Sequence, residues 1–442
     1  MNGLEARNGG RAGLVVLAAI LLLGLALRVD YAWEGRAPVF DAVAYGEIAR
    51  NLDEGNGFTL RERATQPASN YSPGLPLLVA GIYKLSAGEH ERFARVVLAL
   101  IGSLSILFTY LIARRLSGPL AGLIGAVAVA IYPALLEYQG MFMGEPLAAT
   151  LLSGAVLAML WAARPAYLTR VRWLLPGLLL GALVLVRPEY LGISFLLAAV
   201  VIIRGRSQWR IGFFNAAVLL AGAVLVVAPW TVRNAVALDR FVLVSTGGGQ
   251  VLFAGTYLPS DGDPERVGSE VLERYPELRQ ELPADPRLEQ ILARLAAQRY
   301  PDLPSDEALG RMGREQLWDN ISGEPVEYAG FVATKVWRIW SHGPRDVMER
   351  PGWKVFHWAL VAFALLGLIV LALQRRWEAL LLATIFVSIT AISALLVASP
   401  RRILVVLPLI AALAGIGVSW ARYQHFPHPG GENAGSRADS LA

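Results

Sequence analysis

The chain has no cysteine among its 442 residues. This absence excludes disulfide bonds, thiolate metal sites and cysteine nucleophiles. Charged residues are also scarce, at 17%, whereas hydrophobic residues make up 55% of the sequence. A soluble domain carries more charge and less apolar mass. The composition therefore indicates an all-α protein that crosses a membrane several times.

Several catalytic signatures are missing as well. The sequence has no HExxH motif, no nucleophile elbow and no nucleotide-binding loop. Gly247–Gly249 lacks the spacing of a phosphate loop, which favours a turn, and His342 and His357 stand alone. The net charge of +5 does not point to nucleic acid, because the arginines fall in short loops between apolar runs.

Long apolar runs are what the sequence has in abundance. A helix needs about 20 apolar residues to cross the hydrocarbon core. The runs predict ten to twelve spans, of which ten lie near 12–28, 93–113, 118–136, 145–163, 173–186, 190–204, 211–229, 355–373, 377–397 and 403–420.

Loop charge predicts the orientation of these spans. With the N-terminus inside as an uncleaved anchor, every inside loop is short and basic. These loops contain Arg114 and Arg115; Arg164, Arg170 and Arg172; Arg204, Arg206 and Arg210; and Arg375 and Arg376. For the loops to alternate between inside and outside in this way, Pro73–Ala87 must not cross the membrane fully, and the chain must break at Arg187-Pro188-Glu189.

The same pattern predicts four parts. Residues 1–229 form a transmembrane module with an outer loop at 28–71, which contains the candidate site described below. Residues 230–354 form a small, mostly helical extracytoplasmic domain, because this stretch is too charged for the bilayer. Residues 355–420 form the last spans, and residues 421–442 form a disordered cytoplasmic tail.

The segment FDAVAYGEIARNL (residues 40–52) contains the first candidate site. Asp41 and Tyr45 share one face of an amphipathic helix just beyond the first span. Two roles are open for Asp41: the N-cap of this helix, and a catalytic base in a membrane-embedded cavity. The two roles are compatible.

Four further charged residues are candidates. Glu145 begins a span before Pro146, where a carboxylate also complements the helix dipole. Arg187 lies in an apolar region, where an ionisable residue is costly and is therefore a candidate for a functional site. The alternatives are a salt bridge to Glu189 or snorkelling to the interface. Arg401 and Arg402 are predicted to lie on the outside, although basic residues are usually concentrated in the inside loops. Their guanidinium groups suit either an anionic lipid headgroup or a substrate phosphate.

The order of these motifs resembles a known family. An anchor is followed by DAVAYGEIARNL, YSPGLPLLVAGIY, RFARVVLALIGSLSILFTYLIARRLSG, GEPLAAT and LVRPE, then by PWTVRNAVALDRFVLVSTGGGQVLFAGTY and SPRRILVVLPLIAALAG. This series is similar to membrane glycosyltransferases of the GT-C superfamily, in the bacterial, family 39-type branch akin to protein O-mannosyltransferases and the lipid A aminoarabinose transferase. The similarity fades across residues 258–320.

The resemblance implies a GT-C fold and transfer of a hexosyl or pentosyl group from a polyprenyl-phosphate carrier, with inversion, on the outer face of the bacterial inner membrane. The catalytic aspartate of the family corresponds to Asp41. Many relatives have a second acidic residue directly after it, but here Ala42 follows. Glu145 matches a later acidic position, and Arg187 and the Arg401–Arg402 pair match more loosely.

The expected partners are therefore the lipid-linked sugar donor, a lipid, glycan or protein acceptor, and membrane lipids, without nucleic acid. A divalent metal is possible in the superfamily, but no ligand spacing in this chain requires one. Two alternatives remain: a transporter or flippase for lipid-linked glycans, and a non-catalytic scaffold for envelope assembly. The one-sided placement of the candidates and the large outer domain argue against transport.

Overall fold

A computed structural model of the protein describes residues 2–39, 41–60, 67–86, 90–164, 171–263 and 265–425. The first helices in these ranges are α1 (Asn2–Glu34), α2 (Ala42–Asp53), α3 (Gly74–Tyr83), α4 (His90–Ser117), α5 (Pro119–Ile131), α6 (Pro133–Gln139), α7 (Gly144–Ala162), α8 (Leu174–Val186), α9 (Tyr190–Arg204) and α10 (Trp209–Leu238). The remaining helices are α11 (Gly248–Thr256), α12 (Val267–Arg274), α13 (Leu288–Arg299), α14 (Ser305–Gly323), α15 (Pro325–Ser341), α16 (Asp346–Glu349), α17 (Pro351–Leu373), α18 (Trp377–Leu395) and α19 (Arg402–His425). The predicted all-α class is confirmed.

Seven of the described helices are long and apolar enough to cross a membrane: α1, α4, α7, α10, α17, α18 and α19. The pair α5 and α6 forms an eighth candidate, bent by 52°. Helices α8 and α9 are apolar but shorter, with 13 and 15 residues. Together these helices account for the ten predicted apolar segments. The chain is a multi-pass membrane protein.

The bend between α5 and α6 follows from Pro133. Proline has no N–H, so the carbonyl of Val129 loses its helical partner. Arg28, which is buried in α1, supplies the missing donors: its Nη2 donates to Val129 O at 2.9 Å and its Nη1 to Ala130 O at 3.2 Å. The arginine thus stabilises the break in the α5–α6 span.

Helix α3 lies in the segment that the loop charges predict not to cross the membrane. Helix α3 has 10 residues, which is about 15 Å at 1.5 Å per residue, half of the hydrocarbon thickness. The predicted break after α8 is also present. Arg187 is extended (φ −141°, ψ 92°) because proline follows it, and α9 begins at Tyr190.

Close helix crossings hold the bundle together. Helix α19 is buried between α4, α5, α7 and α17. Gly367 on α17 lies against the backbone of Leu413, and Gly417 on α19 lies against the backbone of Phe363, so neither position has room for a Cβ. Small residues permit such crossings in membranes.

Helices α11 to α14 have an apolar core of their own, which includes Phe253, Val271, Leu292 and Leu309. Lys335 on α15 connects this outer region to the bundle. Its Nζ donates to Gly255 O at 2.6 Å and to Ala394 O at 2.7 Å, in the last turns of α11 and α18.

The predicted division of the chain differs from the helix ends in places. The boundary at 229 lies inside α10, α1 continues past Arg28, and α19 continues to His425. Arg170 and the remainder of the predicted tail, residues 426–442, lie outside the described residues. The four-part division itself stays a prediction.

Candidate active site

Asp41 occupies the N-cap position of α2, yet its side chain makes no capping hydrogen bond. Its Oδ2 instead accepts a hydrogen bond from Nη1 of Arg401 at 3.4 Å. The Asp41 side chain is 35% exposed. The carboxylate is therefore partly exposed and paired with a guanidinium group.

Glu145 lies in the first turn of α7 and is fully buried. Its Oε1 forms a close ion pair with Nη2 of Arg187 and lies 3.8 Å from Nη1 of Arg401. A buried carboxylate is tolerated when it is paired in this way. One carboxylate thus holds two guanidinium groups that come from different loops.

Arg401 connects the two acids. The same atom, Nη1, contacts both Asp41 and Glu145, and its Nε donates to Oγ of Ser399 at 3.3 Å. The contact with Asp41 joins positions 360 residues apart in the chain. Helix packing therefore assembles this cluster.

Arg402 points to the end of α18. Its Nη1 donates to the carbonyl of Val397 and to Oγ of Ser393, and its Nε lies 4.0 Å from Oε1 of Glu189. Glu189 was a possible partner for Arg187, but Arg187 pairs with Glu145 instead. The arginines at 187 and 402 thus have different carboxylate partners.

Tyr45 lies on the face of α2 that carries Asp41 and is 5% exposed. Its ring meets Tyr71 edge to face, with 6.0 Å between centroids. Burial raises the pKa of the Tyr45 phenol, and the nearby charge of Asp41 raises it further. The phenol is therefore protonated at neutral pH and can donate a hydrogen bond.

Three buried polar atoms at the cluster lack a hydrogen-bond partner among the described residues: Oε2 of Glu145, Nε of Arg187 and the hydroxyl of Tyr190. Unpaired buried groups are costly, so a ligand or water that reaches these atoms would gain hydrogen bonds. Sequence reasoning missed Tyr190. Its position directly after the Arg187-Pro188-Glu189 break was the only available signal.

The cluster contains three carboxylates, Asp41, Glu145 and Glu189, and three guanidinium groups, Arg187, Arg401 and Arg402. It is formally neutral. An anion that enters must therefore share or displace one of the existing carboxylate contacts.

Part of the chain matches a known family. Residues 69–232 match the model described as dolichyl-phosphate-mannose-protein mannosyltransferase. The matched segment includes Glu145 and Arg187 but neither Asp41 nor Arg401. No curated protein matches the chain.

Solved structures match over almost the whole chain. The archaeal oligosaccharyltransferase AglB from Archaeoglobus fulgidus, in complex with an inhibitory peptide and a dolichol-phosphate, has a TM-score of 0.56 at 16% identity, over 93% of this chain and 50% of that chain. Its apo form has a TM-score of 0.58. The chain has the GT-C fold.

The predicted resemblance to the GT-C superfamily is thereby confirmed. The chain spans about half the length of the AglB chain. ArnT from Cupriavidus metallidurans bound to undecaprenyl phosphate matches at 17% identity, over 93% of this chain and 79% of that chain, with a TM-score of 0.41.

The GT-C superfamily raises the question of a divalent metal, and the residues at this site do not fit one. In the part of the chain that the structure describes, no three His, Cys, Asp or Glu side chains lie together as ligands. The guanidinium of Arg401 contacts both Asp41 and Glu145, where a shared cation would bind. Positive charge at this site comes from arginine.

Proposed function

We propose that the protein is an integral membrane glycosyltransferase that moves a sugar from a polyprenyl-phosphate carrier to an acceptor hydroxyl, with inversion. The proposal rests on one observation: ion pairs join Asp41, Glu145, Arg187 and Arg401 into one cluster on a GT-C fold. AglB, which shares the fold, has been solved with a dolichol-phosphate, and this supports a lipid phosphate as the donor.

Asp41 is the general base. Its partly exposed carboxylate takes the proton of the acceptor hydroxyl as that oxygen attacks the anomeric carbon. The bond between this carbon and the phosphate oxygen breaks, and its electron pair leaves with the phosphate. A single displacement of this kind inverts the anomeric centre.

Arg187 and Arg401 stabilise the departing phosphate. Guanidinium groups bind phosphate oxygens in a fixed, forked geometry and favour the charge that develops on the leaving group. Arg402 adds positive charge beside them. Glu145, which is fully buried, orients Arg187 and Arg401. The phenol of Tyr45 donates a hydrogen bond to the polyprenyl-phosphate sugar.

The reaction takes place at the outer face of the inner membrane. Helix α18 begins directly after the basic residues Arg375 and Arg376 and ends at Leu395, close to Arg401 and Arg402. The cluster is therefore at the end of α18 opposite the basic loop, and basic loops favour the cytoplasm. The prenyl chain lies between helices among membrane lipids, with its phosphate at headgroup depth.

The test is a transfer assay with purified protein and radiolabelled polyprenyl-phosphate sugars, comparing Asp41→Asn with wild type. Asp53→Asn, on the same helix but outside the cluster, is the matched control. We expect Asp41→Asn to fold normally and to lose transfer by about 10²-fold to 10⁴-fold. Full activity in this variant would refute the assignment. Movement of the lipid across vesicles without transfer would favour a flippase.

A further inference from the structure

Every guanidinium group of the cluster already contacts a carboxylate, and one contact differs from the rest. The pair of Arg401 and Asp41 is the more exposed one, with 24% and 35% of the side chains exposed, whereas Glu145 is 1% exposed in its pairs. The Asp41 contact is therefore the one that an incoming ligand can reach.

This contact occupies an oxygen that the proposed base needs. Oδ2 of Asp41 accepts from Nη1 of Arg401, so one of the two carboxylate oxygens is already engaged before an acceptor arrives. A phosphate offers several charged oxygens in a geometry that suits guanidinium. It can take the place of Asp41 at Arg401.

Glu145 limits where Arg401 can go. Its Oε1 lies 3.8 Å from Nη1 of Arg401 and also pairs with Arg187. If Arg401 keeps this contact with Glu145 when it leaves Asp41, it stays close to Arg187. Both guanidinium groups then face the same anion.

We propose that Arg401 moves from Asp41 to the phosphate of the polyprenyl-phosphate donor, which frees Asp41 to act as base only when the donor is in place. This inference rests on the proposed function and adds an order to it: the donor binds first, and the acceptor is activated second. While Arg401 holds Oδ2, the carboxylate of Asp41 is directed toward Arg401 rather than toward an acceptor or water.

The exchange has a thermodynamic consequence. If Asp41 and the phosphate compete for Arg401, removing the charge of Asp41 tightens phosphate binding, because the two contacts are coupled. Loss of general repulsion also tightens binding, but that effect does not require Arg401. A double-mutant cycle over Asp41 and Arg401 separates the two causes.

The experiment measures binding of undecaprenyl phosphate, without a sugar, to the full-length protein in nanodiscs. We expect Asp41→Asn to tighten binding about 5-fold to 10-fold and Arg401→Gln to weaken it. In the Arg401→Gln background, Asp41→Asn should change affinity less than about 2-fold. Asp53→Asn is the matched control, and thermal unfolding checks the fold of each variant. Arg401→Lys retains the charge if Arg401→Gln does not fold.

Each other outcome has a distinct meaning. Equal tightening by Asp41→Asn in both backgrounds, or no tightening in either, overturns the exchange but leaves the transferase proposal intact. No binding of undecaprenyl phosphate to any variant overturns the donor class as well. The same coupling with phosphatidylglycerol or inorganic phosphate overturns the assignment to a polyprenyl donor, because Arg401 would then respond to any phosphate.

Discussion

Nη1 of Arg401 lies 3.4 Å from Oδ2 of Asp41, and the two residues are 360 positions apart. The contact joins the loop before α19 to the start of α2. It brings the proposed base into direct contact with an arginine that is proposed to bind the donor phosphate. Helices from both ends of the chain must therefore pack correctly before the site exists.

Removing the charge of Glu145 should destabilise the protein. Glu145→Gln leaves Arg187 and Arg401 without the buried carboxylate that pairs with both, and breaking a buried pair typically costs about 3–5 kcal/mol. The measurement is thermal unfolding of purified protein. Glu307→Gln, which breaks the exposed pair with Arg240, is the control and should cost about 0–1 kcal/mol. Equal unfolding temperatures for the two variants would contradict the role of Glu145.

Arg28 should matter for the stability of the bend between α5 and α6. Arg28→Met removes the donors to Val129 O and Ala130 O, and an unpaired buried carbonyl costs about 1–3 kcal/mol. We expect a lower midpoint of thermal unfolding. Arg11→Met, on the same helix and exposed, should leave the midpoint unchanged. A neutral result for Arg28→Met would show that the bend does not need these hydrogen bonds.

Lys335 should give the stability of the protein a pH dependence. The lysine lies on α15, which is not one of the candidate spans. Burial, with a smaller contribution from the charge of Arg402, lowers its pKa to about 7. The unfolded chain, with the ordinary lysine pKa, then binds more protons than the folded chain above this pH. Stability should therefore rise with pH from about 7 to about 10.

The check is the unfolding midpoint of wild type and Lys335→Met between pH 6 and pH 10. The difference between the two proteins isolates Lys335 from the tyrosines that titrate in the same range. We expect the rise to be smaller in Lys335→Met. Parallel curves would mean that Lys335 keeps its proton in the folded protein.

Two glycines of α17 should respond differently to alanine. A Cβ at Gly367 would collide with the backbone of Leu413, whereas a Cβ at Gly352 meets open space. Overpacking typically costs about 1–3 kcal/mol, so Gly367→Ala should lower the unfolding midpoint and Gly352→Ala should not. Similar midpoints for both variants would argue against a close crossing of α17 and α19.

Much of this fold could be predicted from hydropathy and loop charge. The apolar runs predicted the spans, and the parity of basic loops predicted that α3 does not cross. The same parity predicted the break at Arg187-Pro188-Glu189 before α9. These signals are local, because helix length, missing N–H groups and loop charge act within a few residues.

The pairing within the site could not be predicted in this way. The sequence identified Asp41, Glu145, Arg187 and Arg401 as candidates, but it suggested Glu189 as the partner of Arg187. Glu189 is closer in sequence, yet the packing of α7 beside α8 brings Glu145 to Arg187. Partners chosen by tertiary packing leave no periodic trace in a single sequence.

A single-turnover assay separates the proposed role of Asp41 as a base from any role in donor binding. Asp41→Asn and wild type are loaded with the same polyprenyl-phosphate sugar, the bound donor is quantified, and acceptor is then added. We predict that Asp41→Asn binds the donor at least as well as wild type and transfers its sugar at least about 10²-fold more slowly. Transfer at the wild-type rate from the loaded variant would contradict the assignment of Asp41 as the base.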